Sequence, residues 1–335
     1  MSNKFPQDIK KNREKDWWGK KLFVILVIFL IATNVVTLGF LVHKSRQDSV
    51  KQFENPYPLI DFTRNFIPQE HYLTTLQPLR ETLNGLADKY GRDNVSIYVE
   101  YLNTGASIII GPEAYIWSAS LPKLPIAMAV MKKIEDGDWK LSNELVLMPV
   151  DKDDDSGSVE SSLWEYPVGT RFTIETLLQE LLVNSDNTAH KIFFRNLHAD
   201  EVDRVVIDLG LYGLFNEEGK MSAKEYSRFF RSLYTANFLN RENSQKLLEW
   251  LDESTFDDYL AQSVPAETPF PHKYGENTIQ RVYSDSGIVY IPNRPYLITV
   301  MLAGNFDASL ADDMERARMF MRRVSEEAYA YMSLQ

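Results

Sequence analysis

Hydrophobic and polar positions follow different patterns along the chain. Residues 22–42 form an apolar run without a charged side chain. Apolar residues then recur at three- and four-residue spacing between Tyr72 and Leu86, and again between Leu310 and Tyr331, as in amphipathic helices. Between these helices, runs rich in β-branched and aromatic residues are typical of strands, and longer periodic stretches indicate further helices.

The order of these patterns predicts an α+β fold. Two strands, Val95–Tyr101 and 107–110, join through the turn 103–105 as a hairpin. A helical block follows, and three strands then precede the last helix. The helical stretches are 120–136, 174–183, 186–196, 200–209, 222–235 and 243–252, and the later strands are 269–276, 281–291 and 296–303. We expect one five-stranded antiparallel sheet flanked by the terminal helices, with an all-helical lobe inserted.

The apolar run 22–42 predicts a transmembrane anchor. As a helix, its length would be roughly 31 Å, about the hydrocarbon thickness of a bilayer. A cleaved signal peptide has a shorter run that ends at small residues, whereas this run ends at His43 and Lys44. A core helix of this length without a polar face would be unusual, so we expect an uncleaved anchor.

Charge is distributed unevenly about this run. The formal net charge is −11, with +6 in residues 1–46 and −17 in residues 47–335. By the positive-inside rule, the basic N-terminus stays in the cytoplasm and the acidic body lies outside. The predicted organisation is a cytoplasmic tail at 1–21, the anchor at 22–42, a linker at 43–69 and one extracytoplasmic domain at 70–333.

Composition and motif spacing exclude several kinds of function. The chain has no cysteine, which excludes disulfides, thiolate metal sites and a catalytic cysteine. The acidic body argues against nucleic acid as a partner. The five histidines lack metal-ligand spacing. Residues 151–155 begin like a calcium-binding loop, but Ser156 stands where that loop needs a glycine and Ser162 where it needs a glutamate. We therefore expect no cofactor and no metal. The protein is also expected to be a monomer.

Ser120 and Lys123 are the first candidates for chemistry. Pro122 favours the first turn of a helix, and the residues after Lys123 are apolar all round, which indicates a buried helix. Both candidates would share one helix face, where burial lowers the pKa of a lysine until it can accept a serine proton. The alternative is a capping serine beside an exposed lysine.

Two short motifs follow in the chain. Ser185, Asp186 and Asn187 lie between two predicted helices, where such residues also serve as helix caps. Lys273-Tyr274-Gly275 stands near the start of the last three strands, and alone it indicates nothing.

Together, the motifs resemble the signature of the serine β-lactamase and penicillin-binding protein superfamily, which is S-x-x-K, S-D-N and K-T-G in this order. The resemblance spans roughly residues 70–333 and includes SASLPKLPIAM, LLVNSDNTA and YSDSGIVYIPNRPYLITVM. It implies a class A-type β-lactamase-like domain with the β-lactamase/D,D-peptidase fold. The implied partner is a β-lactam or a D-Ala-containing cell-wall peptide. Ser120 would be the acylated nucleophile, Lys123 its base and Ser185 the proton shuttle to the leaving nitrogen.

The other matched residues would bind the substrate. Asn187 would donate to its side-chain amide and Lys273 would bind its carboxylate. The backbone N–H of Glu276, together with that of the nucleophile, would form the oxyanion hole. Tyr274 and Gly275 complete the third motif, but Tyr274 stands where the family has Thr or Ser. A phenol reaches further, so the substrate would sit differently or the pocket would be partly filled.

A second departure concerns deacylation. Class A β-lactamases carry an Ω-loop glutamate, usually within E-x-x-L-N, which activates the deacylating water. No such pentapeptide lies between Asn187 and Lys273, and the 88 residues from Ser185 to Lys273 indicate a shortened loop. Glu217 and Glu218 fall in the matching stretch, where a solvated turn is the alternative role. Residues 155–158 would form a loop on the rim of the cleft.

Three functional hypotheses remain. The first is a membrane-anchored extracytoplasmic serine hydrolase of the class A β-lactamase type. The second is a penicillin-binding or D,D-peptidase-like protein that deacylates slowly. The third is a non-catalytic cell-surface binding domain on the same fold, which Tyr274 favours and the intact set of Ser120, Lys123 and Ser185 opposes.

Overall fold

The computed structural model describes residues 21, 23, 25–38, 76–152, 162–211 and 218–333. Residues 21, 23 and 25–38 are helical, and the rest of the predicted tail, anchor and linker lies outside the described residues. The same holds for Glu217 and for the loop 155–158. Within the described ranges, no helix is both long enough and apolar enough to cross a membrane. The chain divides into two units, Met1–Asn65 and Phe66–Gln335, and the following description concerns the second.

The second unit has the predicted α+β order. Its helices are α1 (Gln77–Tyr90), α2 (Lys123–Glu135), α3 (Ile174–Val183), α4 (Asn187–Asn196), α5 (Ala199–Asp208), α6 (Ala223–Thr235), α7 (Arg241–Asp252) and α8 (Leu310–Ser333). Its strands are β1 (Val95–Tyr101), β2 (Ala106–Ile110), β3 (Ile116–Trp117), β4 (Glu144–Val146), β5 (Arg171–Thr173), β6 (Lys220–Met221), β7 (His272–Asn277), β8 (Val282–Val289) and β9 (Tyr296–Ala303).

Five strands form one antiparallel sheet in the order β2-β1-β9-β8-β7. This confirms the predicted sheet, and it leaves β7 at an edge. Two further pairs, β3 with β6 and β4 with β5, were not predicted because strands of two or three residues carry no periodic signal. Strand β3 lies directly before Ser120 in the chain, and the N–H of Ser118 donates to the carbonyl of Gly219, the residue before β6 (3.2 Å).

The terminal helices α1 and α8 share one hydrophobic cluster with the sheet. Helix α1 begins at Gln77, so Pro78 falls in the first turn, where its missing N–H costs no helical hydrogen bond. Its buried residues are Leu79, Leu83, Ala87 and Tyr90, and those of α8 include Ala317, Met321, Val324 and Ala328.

A second cluster joins the helical lobe to the opposite face of the sheet. It combines Leu177 and Leu181 of α3 and Phe229 of α6 with Leu297 and Met301 of β9. The sheet is therefore covered on both faces, and its edge strand β7 is where side chains from the sheet and from the helical lobe can meet.

Candidate active site

Ser120 lies in the turn that leads into α2. The helix itself begins at Lys123, three residues later than the predicted stretch, and Pro122 immediately precedes it. Ala119 has a left-handed backbone conformation (φ 49°), which non-glycine residues adopt rarely and which is frequent at functional sites. Leu121 N–H donates to the carbonyl of Ser118 (3.0 Å), which closes the turn around the serine. Ser120 is half-buried, so its hydroxyl can be reached from solvent.

Lys123 is buried at the start of α2. The nine residues from Lys123 to Met131 are all buried, as the all-round apolar sequence predicts, and the lysine is 2% exposed. Burial lowers its pKa to about 7, since a charged ammonium is poorly solvated there, and the negative charge of Asp186 only partly opposes this shift. The lysine therefore holds a substantial neutral fraction at neutral pH.

Four oxygen atoms surround Nζ of Lys123. Two are hydroxyls, Oγ of Ser120 at 3.1 Å and Oγ of Ser185 at 3.0 Å. The other two are Oδ1 of Asn187 at 2.7 Å and the carbonyl oxygen of Ser185, which can only accept. A neutral amine has two N–H donors and one lone pair. If both donors go to the two carbonyl-type oxygens, the lone pair is left for a hydroxyl proton.

The residues of the S-D-N motif have two different functions. Asp186 caps α4 by accepting from the N–H of Ala189 (2.7 Å), and it also accepts from the N–H of Leu163 (3.1 Å). The capping interpretation thus holds for this residue. Ser185 instead adopts a left-handed backbone (φ 54°), and its side chain, like that of Asn187, contacts Lys123.

The outer edge of β7 supplies backbone donors. Ile288 N–H donates to the carbonyl of Pro271 (3.1 Å), which directs the backbone groups of Pro271 toward β8. Because these groups alternate along an antiparallel strand, the N–H of Glu276 points away from β8 and out of the sheet. The side chain of Glu276 accepts a hydrogen bond from the Tyr259 hydroxyl.

Gly275 brings β7 against the nucleophile turn. A Cβ at this position would lie 2.9 Å from the carbonyl oxygen of Ser118 and 3.1 Å from the backbone nitrogen of Ser120. Any larger residue would push the strand away from the turn. The glycine therefore lets β7 lie against the turn that carries Ser120.

Lys273 is fully buried beside Tyr274. Its Nζ lies 3.2 Å from the carbonyl oxygen of Tyr274 and 4.3 Å from the centroid of the Tyr274 ring. Burial lowers its pKa well below the usual value, and the positive charge of Lys123 acts in the same direction, against the opposing charge of Asp285. The structure thus places Lys123 and Lys273 close enough for the charge of one to affect the pKa of the other.

Tyr274 stacks on Phe256 with ring centroids 3.8 Å apart and ring planes 10° from parallel. Tyr274 is 7% exposed. Burial is the main cause of its raised pKa. Sequence reasoning missed Phe256, which lies in a stretch between α7 and β7 without a motif or periodic pattern.

Glu218 is the remaining candidate residue that the structure describes. Helices α5 and α6 are joined by the 14 residues 209–222, of which Glu218 is described. The Glu218 side chain is 71% exposed and pairs with Lys220 (3.5 Å), as in a solvated turn.

His190, three residues after Asn187, was also missed by sequence reasoning. Burial, and then the charges of Lys123 and Lys191, lower its pKa to about 4.

Among the described residues, no group of three or more His, Asp or Glu side chains is placed to hold a metal ion. The arrangement instead unites a nucleophile, a buried amine and outward backbone donors. Such a set can transfer an acyl group to a serine.

Comparison with known proteins agrees with this geometry. The chain is 24% identical over 253 residues to β-lactamase VEB-1 of Pseudomonas aeruginosa, covering 68% of this chain and 82% of that protein. The fold matches a mutant of PBP-A solved as an acyl-enzyme complex with penicillin G (TM-score 0.67, 20% identity, 78% of this chain and 98% of that chain). It also matches a β-lactamase from Sphaerobacter thermophilus (TM-score 0.66, 19% identity, 78% and 99%).

The profile of the β-lactamase enzyme family matches residues 78–332, which include all three motifs and most of the chain. The resemblance inferred from the motifs is thus confirmed. The chain belongs to the β-lactamase enzyme family.

Proposed function

We propose that the protein is a serine hydrolase that forms an acyl-enzyme on Ser120 with a β-lactam or a D-Ala-containing cell-wall peptide. One observation carries the proposal. The buried Nζ of Lys123, whose pKa is lowered to about 7, lies 3.1 Å from Oγ of Ser120. A serine needs such a base before its oxygen can attack a carbonyl carbon.

In the first step, Ser120 Oγ bonds to the carbonyl carbon of the substrate while its proton passes to Nζ of Lys123. The developing oxyanion is held by the N–H groups of Ser120 and Glu276. Removing one donor of this kind typically costs about 10²–10³ in rate. The proton then moves through Ser185 to the leaving nitrogen, since Ser185 Oγ lies 3.0 Å from Nζ. Cleavage of the carbon–nitrogen bond leaves the acyl group on Ser120.

We further propose that hydrolysis of the acyl-enzyme is the slow step. The chain lacks the E-x-x-L-N pentapeptide, and the connection 209–222 is short. Glu218 is exposed and pairs with Lys220, which does not suit a base inside the cleft. A PBP-A mutant of similar fold was solved as an acyl-enzyme complex with penicillin G, which supports the proposed acylation.

The proposed location is the outer face of a cytoplasmic membrane, with the N-terminus inside. The support comes from the sequence: an uncharged run at 22–42, seven basic residues before it and an acidic body after it. Protease treatment of intact cells should degrade the body and spare the tail. A secreted form that starts near residue 45 would contradict the anchor.

The acyl-enzyme is tested by intact-protein mass spectrometry of the full chain with millimolar benzylpenicillin. We expect one penicilloyl adduct, located on Ser120 by peptide mapping and absent from Ser120→Ala. An adduct that persists in Ser120→Ala would refute the nucleophile assignment.

A second candidate function is a binding domain that does not catalyse a reaction. The stacked pair of Tyr274 and Phe256 favours it, since Tyr274 stands where the family has a Thr or Ser that binds the substrate. The absence of any adduct on a folded chain, together with retained binding of a cell-wall peptide, would support this alternative.

A further inference from the structure

We infer that the cleft accepts acyl donors that lack a carboxylate on the leaving-group side, because Tyr274 and Phe256 close the subsite where such a carboxylate would bind. The inference rests on the proposed function and specifies its substrate class. Donors of this class are neutral esters or amides, such as a β-lactam or peptide whose carboxylate is esterified or amidated.

The aromatic pair of Tyr274 and Phe256 is stabilised by a third ring, that of Tyr259. Phe256 lies between Tyr274, on which it stacks at 3.8 Å, and Tyr259, which meets it edge-on at 4.8 Å. Tyr259 is 1% exposed, and its hydroxyl donates to the side chain of Glu276 on the same strand as Tyr274. Stacked and edge-on aromatic pairs attract each other beyond the effect of their burial. Two such contacts in sequence therefore oppose a swing of Tyr274 out of the cleft.

Lys273, which would bind the substrate carboxylate, is already covered by Tyr274. Lys273 is 0% exposed, and its Nζ is occupied by the Tyr274 carbonyl (3.2 Å) and the Tyr274 ring (4.3 Å). The face of an aromatic ring attracts an ammonium, so the Tyr274 ring competes with a substrate carboxylate for the protonated form of Lys273. A substrate carboxylate would have to displace this ring before it could contact the ammonium.

Carboxylates also act on the phenol of Tyr274. Burial is the main cause that raises the pKa of Tyr274, and the charges of Glu276 and Asp285 act in the same direction, so these two residues contribute a negative field at the phenol. A carboxylate brought to this point would meet the same field, whereas a neutral group would not.

Acylation itself does not need the carboxylate. The bond from Ser120 Oγ to the carbonyl carbon forms as the bond to the leaving nitrogen or oxygen breaks. The Ser120 proton passes to Lys123 and then, through Ser185, to the leaving atom. A neutral substituent on the leaving group would pack against the rings of Tyr274 and Phe256.

The test compares two donors that differ only in this charge, benzylpenicillin and its methyl ester. Adduct formation on the full chain in detergent is followed by intact-protein mass, and second-order acylation constants are compared. For the unmodified protein we expect the ester to react at least about tenfold faster, which corresponds to about 1.4 kcal/mol. In Tyr274→Thr, which opens the subsite, we expect the preference to reverse toward benzylpenicillin.

Two further variants separate the roles of the ring and the phenol. Tyr274→Phe keeps the stacked ring, so it should keep the preference for the ester. Phe256→Leu removes the stacking partner, so it should reduce the preference, and it provides the test if Tyr274→Thr does not fold.

Faster acylation of the unmodified protein by benzylpenicillin would overturn the inference and leave the proposed function intact. No adduct on Ser120 with either donor would overturn both.

Discussion

Oδ1 of Asn187 lies 2.7 Å from Nζ of Lys123, closer than the 3.1 Å that separates this nitrogen from Oγ of Ser120. An amide oxygen only accepts hydrogen bonds, so Asn187 holds one N–H of the lysine and helps to direct its lone pair. Asn187 is therefore a positioning residue for the base, in addition to the substrate-binding role that the family resemblance implies.

This relationship predicts that Asn187→Leu slows acylation even by a donor without a side-chain amide. The comparison uses benzylpenicillin and penicillanic acid, which lacks the acylamino group, with adduct formation as the measurement. We expect a loss of about tenfold or more with both donors, since Lys123 becomes an ammonium as it accepts the serine proton, and one hydrogen bond to a charged group is worth about 1.5–3 kcal/mol. A loss confined to benzylpenicillin would limit Asn187 to substrate binding.

Acylation should depend on pH through Lys123. Its pKa is lowered to about 7, so the neutral, proton-accepting fraction grows as pH rises through this value. The acylation constant should rise from pH 6 to pH 8, and Lys123→Met should lose both this rise and about 10²–10⁴ of the rate.

Lys132→Met is the matched control on the same helix. Lys132 pairs with Glu135 (3.3 Å) at the surface end of α2, so this variant should keep the rate and the pH profile. An unchanged profile in Lys123→Met would assign the base to another group.

Asp186 should contribute to both stability and activity. Asp186→Ala removes the cap of α4 and the acceptor for Leu163, and it should lower the free energy of unfolding by about 1–2 kcal/mol. Acylation should also slow, because α4 carries Asn187.

The control for this change is Asn240→Ala, which removes the cap of α7 (2.9 Å to the N–H of Asn243). It should destabilise the chain by a similar amount in urea titration while leaving acylation unchanged. Equal losses of activity in the two variants would show that stability alone accounts for the effect of Asp186.

Deacylation should be slow and independent of Glu218. A positioned base is worth about 3–5 kcal/mol of barrier, taking its usual rate effect as about 10²–10⁴. We expect the adduct to accumulate over minutes, with the same lifetime in Glu218→Gln. Rapid steady turnover, lost in Glu218→Gln, would identify that residue as the missing base.

His190 should make the folded state less stable in mild acid. Its pKa is lowered from 6.5 to about 4, so between these values the unfolded chain binds a proton that the folded chain does not. The free energy of unfolding should therefore fall as pH falls from about 7 toward 4. His190→Gln should reduce this slope in urea titrations across that range. The same slope in His190→Gln would assign the acid sensitivity to other groups.

The sequence predicted helices and strands well where their signals are local. Helix α3, Ile174–Val183, agrees with its predicted stretch at both ends, because its leucines recur at helical spacing. The hairpin of β1 and β2 likewise followed from β-branched runs about a short turn. The anchor at 22–42 and the domain limits stay predictions.

The sequence by itself determined the α+β order of elements and the three motifs that identify the family, because both are written in short stretches of neighbouring residues. Only the tertiary structure decided that Asn187 meets Lys123 across 64 positions, that Phe256 lies on Tyr274 and that Lys273 is covered. These contacts join distant parts of the chain, and they depend on how helices and sheet pack. A local pattern shows which residues of an element are buried, but it does not show which distant residues they contact. These contacts could therefore not be predicted from the sequence.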